Sequence, residues 1–203
     1  LIIDAKFAKT KKKTANYLLF AVFLLLLQAQ TTYLWVSITL ACLNHLKTSK
    51  KNMQLAKQLM DIVDAQVVAF KQVSDEAWSY KTAPEKWSKK EILGHLIDSA
   101  MNNLRRFVVS QYEQNQNIVY QQNEWVAYQQ YQQAPVDELI GLWQLLNTQI
   151  ARTISHIPAN KLVNTCDTGK GDAELHTILF LISDYIDHLQ HHLRAINHQS
   201  SRK

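Results

Sequence analysis

Four glycines and three prolines are spread over 203 residues, and that scarcity constrains the fold more than any other feature of the chain. All-β folds spend such residues at nearly every turn, so a chain this poor in them has few turns and long helices. An apolar fraction of 47% is enough for a packed core and excludes a disordered chain. The length suits one ordinary domain, or a smaller domain with an appendage. Two cysteines, Cys42 and Cys166, make neither a disulfide framework nor a zinc ribbon. Any metal must be held by histidines and carboxylates.

The formal charge of +5 is unevenly shared. Residues 1–52 carry eight lysines against one acid, Asp4, and residues 53–203 hold 14 basic and 16 acidic side chains. The larger part has no concentrated positive charge, which phosphate binding requires, so no nucleic-acid partner is expected.

Residues 1–52 read as an apolar extension distinct from the rest. Lys11-Lys12-Lys13 precedes the apolar run Tyr17 to Leu27, and a second run, Leu34 to Leu43, follows Gln28-Ala29-Gln30-Thr31-Thr32. A basic stretch before a short apolar run resembles a secretory signal, although Gln28-Ala29-Gln30 is a poor cleavage site. The first run alone is too short to span a bilayer, which takes about 20 residues. The first methionine is Met53, where the composition changes. Three readings stay open: upstream sequence translated from an early start, an uncleaved membrane anchor, and a cleaved signal. The domain proper is expected at 53–203, cytoplasmic, and membrane-associated only if the first segment is genuine.

From Met53 the apolar positions Leu55, Leu59, Ile62, Val63, Val67 and Phe70 form one helical stripe, predicting a helix to about Ser74. Ser88-Lys89-Lys90-Glu91 is a capping box opening a helix through Ile92, Leu96, Leu104 and Phe107 to about Gln111. Residues 112–136 form a long connection with a helical turn around Trp125 to Tyr131, and such connections often cover or line a site. Pro135 and Asp137 start a helix that Pro158 stops; the last spans about Ala173 to Asn197. Four long helices with these joins describe an all-α four-helix bundle. Cys166, in a loop without a recognisable partner, reads as an inert thiol.

His188 and His192 are i and i+4 on the last helix, stacked on one face, an arrangement in which two imidazoles reach one cation. His95, in the apolar stripe of the second long helix directly after Gly94, is the candidate third ligand. Gly94 would leave room for close approach. The same pair would also suit a solvated helix C-terminus. His191 is an alternative partner of His188 but points away from His192, and His156 and His176 have no comparable arrangement. Three histidines without a fourth strong ligand make an open site, as catalytic zinc has, whereas structural zinc closes its shell with four. Imidazole suits zinc, nickel, copper or iron alike. Asp98 and Asp184 are placed either to orient the imidazoles or on a solvated face.

Trp87-Ser88-Lys89-Lys90-Glu91-Ile92-Leu93-Gly94-His95-Leu96-Ile97-Asp98-Ser99, with Asn102, Arg106 and Phe107 beyond it, resembles a stretch of the DinB-like superfamily, specifically its YfiT-like branch. Asn123-Glu124-Trp125 and the Tyr185 to Ile196 helix are similar to further elements of that family. The likeness covers about Met53 to Asn197. It implies a four-helix bundle whose His triad, here His95, His188 and His192, holds a divalent metal, zinc or nickel foremost. It also implies a metal-dependent hydrolase or low-molecular-weight thiol transferase acting on a small molecule, in some members as a dimer. With this added, His95, Ser99, Asn102 and Arg106 share one helix face. Asn102 and Arg106 then become pocket candidates, Arg106 for a substrate carboxylate or equally for a surface ion pair, and Glu124 a candidate general base. A metal-binding sensor without turnover, and a membrane-tethered bundle with incidental histidines, are the competing expectations.

Overall fold

A computed structural model describes residues 2–198, with side chains described at positions 26, 28, 30, 32–40, 42–43 and from 46 onward. Its helices are α1 (Ile2–Phe70), α2 (Asp75–Ser79), α3 (Lys89–Val109), α4 (Gln122–Tyr128), α5 (Val136–His156) and α6 (Ile178–His198). Two short strands, β1 (Thr165–Asp167) and β2 (Leu175–Thr177), pair antiparallel with Cys166 opposite His176. The chain divides into two units, Leu1–Lys47 and Thr48–Lys203.

In the first unit, every position from 32 to 40 is exposed, including Tyr33, Trp35 and Ile38. Thr39 returns its hydroxyl to the carbonyls of Trp35 and Val36 in its own helix. Among the described residues, no helix is long and apolar enough to cross a membrane.

The second unit is the bundle. Leu59, Val63 and Phe70 of α1 meet Leu93, Leu96 and Ile97 of α3, Trp143 and Ile150 of α5, and Ile182 and Leu189 of α6 in one buried core. These are the apolar stripes read from the sequence, and burying them is what stabilises helices of only moderate intrinsic propensity. Trp78 of α2 closes the core edge-on to Phe70, with ring centroids 5.0 Å apart.

The capping box at the start of α3 forms as read: Ser88 Oγ accepts from the Glu91 amide at 3.2 Å, and Glu91 Oε2 accepts from the Ser88 amide at 2.8 Å. Lys89, although buried, donates through Nζ to the Ile196 carbonyl at 2.8 Å, placing a cation at the negative C-terminal end of α6.

Three boundaries differ from the sequence reading. α1 is continuous from Ile2 and stops at Phe70 rather than Ser74, because Ser74 instead caps α2 by accepting from the Ala77 amide. α6 starts at Ile178 rather than Ala173, because residues 175–177 pair with β1 and Thr177 Oγ1 takes the Phe180 amide. The short helix in the long connection runs 122–128 rather than 125–131, ended by Gln130 in a left-handed conformation at φ 55°. Before that helix, the connection is tied to β1: Asn115 and Ile118 donate to the Thr165 and Asp167 carbonyls at 2.7 and 2.9 Å.

Candidate metal centre

His95 sits in the middle of the most buried stretch of α3, between Leu93 and Ile97. His188 and His192 sit one turn apart on α6, a helix whose inner face is anchored by the buried Tyr185, Leu189, Leu193 and Ile196. Packing those two faces together converges the three rings. One ligand atom from each lies within 4.8 Å of the others, and His95 Nε2 is 3.3 Å from His188 Nε2. Ring centroids are 4.6 Å apart for His95 and His192 and 4.5 Å for His188 and His192.

That spacing suits a shared cation. Nitrogens held tetrahedrally at zinc distances of about 2.0–2.1 Å stand about 3.3–3.4 Å from one another. Burial, followed by repulsion from His192 and His188, pushes His95 down to about 3. Burial and the charges of His188 and His191 push His192 down to about 4. His188 is lowered in the same direction by burial and by His191. All three are therefore neutral at pH 7, the form that offers a lone pair to a metal. The donor set and its geometry fit a divalent ion with a position left over. Trp87 packs against His95, with ring centroids 5.3 Å apart. A groove of about 450 Å³ opens beside the triad, lined by Lys86, Trp87, Asn123, His191 and His192 among others.

With helices, triad and groove in place, comparison with known proteins is direct. A family model described as the DinB superfamily matches residues 61–196. The chain belongs to the DinB superfamily. Among solved structures, this DinB-superfamily chain is similar to YfiT from Bacillus subtilis, described as a probable metal-dependent hydrolase with an unusual four-helix bundle topology. The identity is 20% and the TM-score 0.65, over 77% of this chain and 87% of that one. It is also similar to a mycothiol-dependent maleylpyruvate isomerase, at 13% identity and a TM-score of 0.51 over 75% of this chain. It spans 59% of that chain's length. At these identities the likeness establishes the shared four-helix fold. Among curated proteins, none matches the chain.

The remaining residues singled out in the sequence fall in several places around this DinB bundle. Asp98 is fully buried: its Oδ1 accepts the Tyr131 hydroxyl at 2.5 Å and the Gln129 side-chain amide, and its Oδ2 has no hydrogen-bond partner among the described residues. Burial raises its carboxyl to about 6, against the lowering effect of those two hydrogen bonds. Asp184 is exposed and hydrogen-bonds to no imidazole among the described residues. The Nδ1 atoms of His95 and His188 are buried without a hydrogen-bond partner among the described residues. Neither acid hydrogen-bonds to an imidazole among the described residues.

Gly94 serves the connection rather than the metal: a Cβ there would lie 2.0 Å from the Tyr131 ring. Asn102 returns its amide to the Asp98 carbonyl at 2.9 Å. Arg106 directs Nε and Nη2 to the Ile118 carbonyl at 3.0 and 2.7 Å, holding the long connection. Glu124 is exposed in the first turn of α4, next to the groove residue Asn123 but outside the lining. Cys166 is buried, its thiol raised chiefly by burial, and it donates to the Gln116 carbonyl.

Sequence reasoning missed the strap at 129–133. Besides the two bonds to Asp98, Gln132 Oε1 accepts from Ser88 Oγ at 2.6 Å and Gln132 Nε2 donates to the Ser79 carbonyl at 2.7 Å. Its one legible trace was a glycine inside an otherwise apolar helix face.

Proposed function

We propose that this chain is a divalent-metal-dependent enzyme acting on a small molecule, with His95, His188 and His192 as the ligands and one coordination position left for water or a low-molecular-weight thiol. The observation that carries this reading is the convergence of three neutral imidazoles, from two helices, within 4.8 Å. A bound zinc or nickel ion would supply a Lewis acid that favours the deprotonated form of water or thiol at pH 7. The protein's own part is threefold. Burial keeps the imidazoles unprotonated; the flanking core fixes α3 against α6; and the groove, with Trp87 on one wall, gives a ligand access to the His192 side. The descriptions of the two similar structures, one metal-dependent and one thiol-dependent, support chemistry of this class.

The test is turnover. A panel of esters, amides and electrophile–thiol pairs is assayed before chelation, after it, and after zinc or nickel is restored. The expected result is an activity abolished by the chelator and recovered with metal. Activity indifferent to chelation contradicts the proposal.

A further inference from the structure

Resting on that reading of the metal site, we infer that the groove selects a small zwitterionic ligand, its carboxylate toward Lys86 and its amine toward Glu85. Both residues line the groove that also reaches His192. Several cations cluster around the start of α3, and most are already engaged. Lys81 pairs with Glu91 at 2.9 Å. Lys89 is buried on the Ile196 carbonyl, and Lys90 donates to the Gln132 carbonyl at 3.3 Å.

Lys86 differs. Neither its ammonium nor the Glu85 carboxylate has a hydrogen bond or ion pair among the described residues. Adjacent in sequence and opposite in sign, the two do not neutralise each other, so they present two separate poles to whatever occupies the groove. Arg106, the other cation considered for a carboxylate, is occupied by the Ile118 carbonyl. Gln122 and Asn123, also in the lining, offer neutral donors and acceptors, which add polarity without favouring either charge. A ligand of one sign would meet a like charge beside its partner. A molecule carrying both signs meets none.

The test uses cobalt(II)-loaded full-length protein and reads thiol binding from the thiolate-to-cobalt absorption band. The probes are 3-mercaptopropionate, cysteamine and 2-mercaptoethanol. Each is compared with itself between parent and variant, so that differences in thiol acidity cancel. Lys86→Gln is expected to weaken 3-mercaptopropionate about two- to five-fold, the size of an exposed ion pair, to strengthen cysteamine by relieving a like charge, and to leave 2-mercaptoethanol unchanged. Glu85→Gln is expected to do the reverse, weakening cysteamine by a similar factor, strengthening 3-mercaptopropionate and leaving 2-mercaptoethanol unchanged. These effects should shrink as salt is raised. Unchanged affinities for the charged probes in the variants overturn the inference. So does the absence of a thiolate band with all three probes on an intact cobalt spectrum, an outcome that leaves the metal ligands standing. Failure to take up cobalt at all defeats the metal reading itself, and the inference with it.

Discussion

Each of the three histidines gives up its proton to be buried, and that has a consequence for stability. His95 has a folded value of about 3, below the unfolded value near 6.5. At pH below about 6.5 the unfolded chain therefore binds protons that the fold refuses. The contribution is fully present above that pH and is lost as pH falls toward 3. Asp98 works the other way, since its folded value of about 6 lies above the unfolded one, so its penalty grows as pH rises through 4 to 6. Metal-stripped protein should lose several kcal/mol between pH 7.5 and 4.5, with His95 contributing roughly 2.5 kcal/mol at most. Urea denaturation at the two pH values checks this, and His95→Ala should flatten the slope. Equal slopes in parent and variant count against the burial account. An alanine methyl in place of Gly94 would collide with the Tyr131 ring, so Gly94→Ala should cost about 1–3 kcal/mol by thermal or urea unfolding. The triad was legible because an i, i+4 pair and a histidine in an apolar stripe are both local patterns. The partner of Asp98 was not, because Tyr131 lies 33 positions away and nothing local to either residue announces the bond.

The elements divide along the same line. The start of α3 was readable because Ser88 and Glu91 carry their capping geometry within four residues. Ser88 also holds the strap through Gln132, so Ser88→Ala removes a cap and a tie together. A loss of about 1–2 kcal/mol is expected, with faster amide exchange at 129–133 as the signature that separates it from a cap lost alone. The start of α6 was misread by five residues because Thr177 becomes a cap only once residues 175–177 have paired with β1. Helical periodicity at 173–177 is too brief to compete with that pairing. The upstream part of α1 has no polar and apolar faces to read. Its lysines and apolar runs are segregated along the chain rather than around a helix, so the pattern fixed neither the helix nor its limits.

For the molecule as a whole, fold class followed from scarce turn residues and four apolar stripes. The second unit begins at Thr48, and Asn52 is fully buried with Nδ2 on the Ile157 carbonyl at 2.9 Å. We propose that the bundle folds without the upstream segment. A fragment starting at Thr48 should be folded and should bind metal, and one starting at Met53 should be about 1 kcal/mol less stable for want of the Asn52 hydrogen bond. Comparative urea titrations check the difference. An insoluble fragment from Thr48 would assign the first 47 residues a structural role. If two helices bring three imidazoles to one divalent ion, elemental analysis of the purified protein should find about one zinc or nickel per chain in the parent and essentially none in a folded His95→Ala/His188→Ala variant. Equal metal content in the two would contradict it.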